Sequence, residues 1–149
     1  MINESALDII KSFEGFSGNP YRCPAGYPTV GYGSIYDLHG ERVTMDHEEI
    51  TEVQAQDLLR RDVAGSLGAV ERLTQPYLED LNENQKGALT SLVYNIGSGN
   101  FRASQIRSLI KRGEINAAGN LFWQWRRAGG RILRGLVRRR ARETELYFS

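Results

Sequence analysis

A chain of 149 residues, 40% hydrophobic and 25% charged, is long enough to close its own core, burying about 70% of its unfolded surface. One cysteine excludes an internal disulfide framework, and with only two histidines (His39 and His47) a structural zinc site is not expected. Net charge is +1 but uneven: residues 1–83 hold 15 acidic and 6 basic side chains, residues 84–149 hold 3 and 13.

Ile2, Ala6, Ile9, Ile10 and Phe13 recur at helical spacing. With Asn3 or Ser5 as cap and Gly15 as stop, they predict a helix over about 4–13, with Glu14 in or just past its last turn. Residues 15–46 are rich in Gly and Pro, with Tyr21, Tyr27, Tyr32 and Tyr36 interleaved. They read as a β-hairpin or a three-stranded sheet with a turn near Asp37–Gly40, too small to stand without helices beside it. Thr51-x-x-Gln54 is a capping box and opens a long helix ending near Arg72. A break at Thr74-Gln75-Pro76 follows. Asn82-x-x-Gln85 caps another helix, closed by Gly97-Ser98-Gly99. Short helices over about 103–112 and 114–125, a turn at Gly129-Gly130 and a last helix from about Leu136 to Tyr147 complete the chain.

The pattern is mainly helical α+β. It predicts an N-terminal lobe of about 1–50, a bridging helix of about 52–72, and a helical C-terminal lobe of about 73–149. A cleft is expected between the lobes, where ligand sites commonly lie.

Three side chains in the first lobe suggest chemistry. A glutamate at a helix C-terminus meets the negative end of the helix dipole, and Phe13 and Phe16 can desolvate it; both favour the protonated acid that general-acid catalysis needs. Cys23 follows nine residues later, on a turn made by Pro24-Ala25-Gly26. Its thiol can act as a base or nucleophile once ionised. Thr29 precedes Val30-Gly31-Tyr32-Gly33 and carries a hydroxyl able to orient a reactant.

Glu14-x8-Cys23-x5-Thr29 followed by Gly31-x-Gly33 resembles the catalytic pattern of the phage-type lysozymes, the endolysins of glycoside hydrolase family 24. The resemblance continues through nearly the whole chain, in Asn82-x-x-Gln85-x-x-Ala88-Leu89, Tyr94-Asn95-Ile96-Gly97, Trp123-Gln124-Trp125, Gly129-Gly130-Arg131 and Gly135-Leu136-Val137-Arg138-Arg139-Arg140. It implies one lysozyme-like domain over 1–149 that hydrolyses the β-1,4 bond between N-acetylmuramic acid and N-acetylglucosamine. Glu14 would be the general acid, with Cys23 and Thr29 positioning or activating water. Cys23 stands where the family usually has Asp, and Ser34 where members often have His. Gly31, Tyr32, Asn95 and Trp125 would contact substrate, and no metal or organic cofactor is implied. Eight arginines between Arg126 and Arg142, with no acid among them, would lie mostly on a solvated face, one of them near Glu14.

The implied partner is bacterial peptidoglycan, met by a monomer. The first residues lack a signal peptide's basic start and apolar core, and no apolar run is long enough to span a bilayer. The expectation is therefore residence in the host bacterial cytoplasm until a holin permits release to the cell wall. A lytic transglycosylase, which needs a single glutamate and no water, remains open, as does a non-catalytic cell-wall-binding or virion protein. The near-neutral charge and the lack of a nucleic-acid motif weigh against a nucleic-acid binder.

Overall fold

The computed structural model describes residues 2–149. Two compact units form, one of residues 11–62, the other of the described residues up to 10 with 63–149. The first helix, α1 (Glu4–Glu14), and the second, α2 (Glu52–Leu73), each run from one unit into the other. The architecture is the mainly helical α+β arrangement expected, with small two-stranded sheets. Among the described residues no helix is long and apolar enough to cross a membrane.

In the 11–62 unit, β1 (Ser17–Arg22) pairs antiparallel with β2 (Pro28–Gly31). The register sets Tyr21 opposite Thr29 and Arg22 opposite Pro28, with an irregularity between Ser17 and Tyr21. The connecting turn closes through Cys23 N–H donating to Tyr27 O (3.0 Å) and Gly26 N–H to Cys23 O (2.7 Å). After β2 the chain reverses sharply, Val30 and Ser34 exchanging backbone hydrogen bonds at 2.9 Å. A second loop, bridged at Tyr36 and Arg42, carries the turn anticipated near Asp37–Gly40. The Thr51–Gln54 capping box forms as the sequence predicts: Gln54 N–H donates to Thr51 Oγ1 (3.2 Å) and Thr51 N–H to Gln54 Oε1 (2.8 Å).

Residues 30–34 are pressed onto the start of α2. A Cβ built on Gly31 would lie 3.0 Å from Ala55 Cβ, and the residue has φ of +67°, so both space and conformation require glycine. Ser34 is buried and donates to Asp62 Oδ2 at 2.7 Å. That bond gives Ser34 a structural task.

In the other unit, Asn3 caps α1 by accepting from Ala6 N–H at 2.9 Å. Asn82 and Gln85 cap α3 (Glu83–Ile96) reciprocally. The chain then departs from expectation. Gly97-Ser98-Gly99 ends α3, but Ser98 also begins a further helix, α4 (Ser98–Ala103). Ser104 stops α4 and caps α5 (Gln105–Lys111) by accepting from Arg107 N–H at 3.1 Å. The helix expected over 114–125 is shorter, α6 (Ile115–Gly119), followed by a 3₁₀ turn at Phe122–Gln124. Gly129 and Gly130, both at positive φ, turn a minimal hairpin of β3 (Arg127–Ala128) and β4 (Arg131–Ile132). The last helix, α7 (Arg134–Tyr147), packs along α3. Leu89, Leu92, Phe101, Ile106, Ile110, Phe122 and Tyr147 fill the core of this unit. Tyr147 donates its hydroxyl to Ile115 O at 2.6 Å.

Candidate active site

Glu14 is the last residue of α1 and is half-buried; Gly15 follows at φ +73°. Cys23 occupies the hairpin turn, half-buried, at the end of β1. Thr29, on β2, is 1% exposed. All three lie in the 11–62 unit.

Thr29 stands near enough to Cys23 to act on its thiol. Desolvation pushes the Cys23 thiol up, but hydrogen bonds from the backbone N–H groups of Tyr27, Ala25 and Gly26 and from the Thr29 hydroxyl outweigh it. The net result is a thiol that ionises more readily than an ordinary cysteine. The Thr29 hydroxyl also donates to Tyr27 O at 2.8 Å. A hydroxyl has one proton, so the two bonds compete. The Tyr27 carbonyl thus receives both Cys23 N–H and Thr29 O–H.

Tyr21 joins the group without having been read from the sequence. Its phenol is held above its ordinary range, by desolvation first and then by the negative charges of Glu14 and Cys23. A single side chain therefore senses both candidate catalytic groups. The signal was available in part: Tyr21 stands two residues before Cys23, near the end of β1.

Gly31 and Tyr32, expected from the sequence to contact substrate, are buried. Gly31 lies against Ala55. Tyr32 is 4% exposed, packs its ring 5.7 Å from that of Phe16, and donates its hydroxyl to Glu52 Oε1 at 2.9 Å. Close backbone approach is used here, but by a helix.

Asn95 and Trp125 belong to the other unit, where Arg140 joins them. Arg140 Nη1 donates to Asn95 Oδ1 (2.9 Å) and to Trp125 O (3.1 Å). Asn95 is exposed and Trp125 half-buried, with its indole N–H enclosed. Arg140 itself is 2% exposed, as is Arg139, and both meet Glu143, which is 0% exposed. Arg140 Nη2 donates to Glu143 Oε2 at 3.1 Å; its Nε stands 2.6 Å from Oε1, an ion contact without hydrogen-bond alignment. Burial pushes Arg140 below its ordinary range, opposed by the Glu143 charge. Two arginines of the C-terminal cluster are therefore core residues, which sequence reasoning missed. The glutamate at i+3 and i+4 from them was the available signal. Among the described residues no cluster of His, Cys, Asp or Glu could hold a metal ion.

The profile of phage lysozymes matches residues 11–143, which include every residue of both groups. The chain belongs to the phage lysozyme family. An endolysin of Bacillus phage B103 is 33% identical over 99% of the chain, which spans 54% of that relative's length; the chain thus covers about half of the Bacillus phage relatives it matches. An endolysin of Acyrthosiphon pisum secondary endosymbiont phage 1 is 35% identical, covering 99% of the chain and 98% of the relative. Among solved structures, a mutant of the P22 lysozyme superposes with a TM-score of 0.87 at 30% identity, covering 100% and 99% of the two chains. The hairpin supplies amide donors and a hydroxyl that favour the sulfur anion of Cys23.

Proposed function

We propose that the protein is a phage muramidase that hydrolyses the β-1,4 bond between N-acetylmuramic acid and N-acetylglucosamine in bacterial peptidoglycan. Glu14 gives its proton to the glycosidic oxygen as the bond to the anomeric carbon breaks. Water attacks the oxocarbenium-like carbon and yields its proton to the Cys23 thiolate, in the manner of a carboxylate base. Thr29, beside Cys23, orients that base and the water next to it. The supporting observation is the Cys23–Thr29 pair, whose surroundings favour the thiolate, with Tyr21 sensing both Glu14 and Cys23.

The protein would act as a monomer without metal or organic cofactor. It would wait in the host cytoplasm until a holin lets it reach the wall.

Replacing Glu14 by Gln should lower cell-wall clearing by about 10³-fold, within the range for losing a general acid, with the fold retained. Cys23→Ser should reduce it strongly, and Cys23→Asp should keep much of it. Full activity in Cys23→Ala would remove the thiol from the chemistry. Mass spectrometry of the digest should find reducing muramyl ends; anhydromuramyl ends would assign the protein to the transglycosylases.

A further inference from the structure

The loop bridged at Tyr36 and Arg42 returns beside the hairpin turn and makes a surface group that the reaction above leaves unused. Arg42 Cζ lies 5.0 Å from the centroid of the Tyr27 ring and 5.4 Å from that of Tyr36. The rings stay open to solvent, Tyr27 at 49% and Tyr36 at 43% exposure, and Arg42 is exposed with them. Ring contact engages the faces of a guanidinium and leaves its N–H edges to hydrogen-bond. Among the described residues no carboxylate pairs with Arg42, although acidic side chains are abundant in this part of the sequence.

The group is also held from behind. Arg61 Nη2 donates to Tyr36 O at 2.7 Å, and Arg61 Nη1 donates to Asp37 O. Tyr27 is fixed by the two hydrogen bonds its carbonyl accepts from Cys23 N–H and Thr29 O–H. A cation with free donor edges is thus displayed between two exposed aromatic rings, one of which, Tyr27, stands on the turn that carries Cys23.

We propose that Tyr27, Arg42 and Tyr36 form a subsite for the peptidoglycan chain next to the reacting bond, in which Arg42 binds a carboxylate of the peptide stem and the tyrosine rings hold the guanidinium and pack on the sugar. This rests on the muramidase reading and adds to it a means of preferring stem-bearing glycan. Tyrosine faces suit the C–H faces of sugar rings, and an arginine edge suits a carboxylate bidentately. One exposed ion pair contributes modestly, so the effect is selectivity among wall polymers more than raw affinity.

The test separates binding from cleavage by working in the Glu14→Gln protein, with soluble glycan strands that carry their peptide stems. Arg42→Gln should weaken binding about threefold to fivefold, the loss of one exposed ion pair. It should make no difference on strands whose carboxyls have been amidated, to which the unsubstituted Glu14→Gln protein should itself bind with the same loss. Arg42→Lys should lose less than Arg42→Gln, because it keeps the charge. Equal losses on charged and amidated strands, equal losses for Lys and Gln, or no loss at all would overturn the proposal. Full cleavage by Glu14→Gln would instead overturn the muramidase reading, while the binding comparison would stand on its own.

Discussion

Replacing Glu143 by glutamine removes one negative charge from a place where two positive ones have no other route to water. The glutamate is 0% exposed and touches Arg139 (Nε to Oε2, 3.3 Å), Arg140 (Nε to Oε1, 2.6 Å) and Ser91, whose hydroxyl donates to Oε2 at 2.5 Å. The amide matches the carboxylate in volume, so no cavity opens and the loss is electrostatic. Both guanidinium groups, at 3% and 2% side-chain exposure, then remain buried, and an amide N–H₂ is set against their donors. Breaking a buried pair from one side costs about 3–5 kcal/mol, a large share of the roughly 5–15 kcal/mol that holds a domain folded. For a chain of this length that is a fall in melting temperature of about 10 °C or more. Circular dichroism during heating, and urea unfolding with the slope unchanged and the midpoint lowered, would measure it. Adding Arg140→Met to Glu143→Gln should cost less than the sum of the two single changes, because the second change removes a charge that the first left stranded. A Glu143→Gln protein within about 1 kcal/mol of the parent would refute the reasoning, since it would mean that the cluster is hydrated or that its charges are not coupled.

Two further predictions concern the hairpin and the last helix. The lowered Cys23 thiol should react with iodoacetamide at lower pH than a free cysteine, and Thr29→Val should move that profile upward by removing a donor to sulfur. By the same linkage the folded state holds the thiolate better than the unfolded chain, so this group favours folding above the ordinary thiol range and the contribution is lost as pH falls through the folded value. An unshifted alkylation profile would contradict the hydrogen-bonded thiolate. Gly119→Ala would place a methyl 2.5 Å from the Tyr147 ring and 2.7 Å from that of Phe148, and should cost about 1–3 kcal/mol in denaturant unfolding. An unaffected midpoint would mean that α6 and α7 separate freely.

What could be read from the residues alone was whatever a short stretch of chain decides for itself. The Thr51–Gln54 and Asn82–Gln85 boxes closed because both partners lie within one turn, three residues apart. The hairpin bearing Cys23 and Thr29 followed from turn-forming residues beside β-branched ones, and the spacing of Glu14, Cys23 and Thr29 carried the family resemblance. Tertiary structure decided the rest, because local spacing says nothing about what lies opposite. The spacing of Gly31 did not say what packs on it, and the fold sets Ala55, 24 residues away, against it. Arg139 and Arg140 looked like their solvated neighbours, and became core residues once Ser91 and Asn95, on α3, faced them with Glu143. A charge is buried or solvated according to the partners that the fold brings to it; Glu143 is a local partner, but Ser91 and Asn95 are more than forty residues distant in sequence.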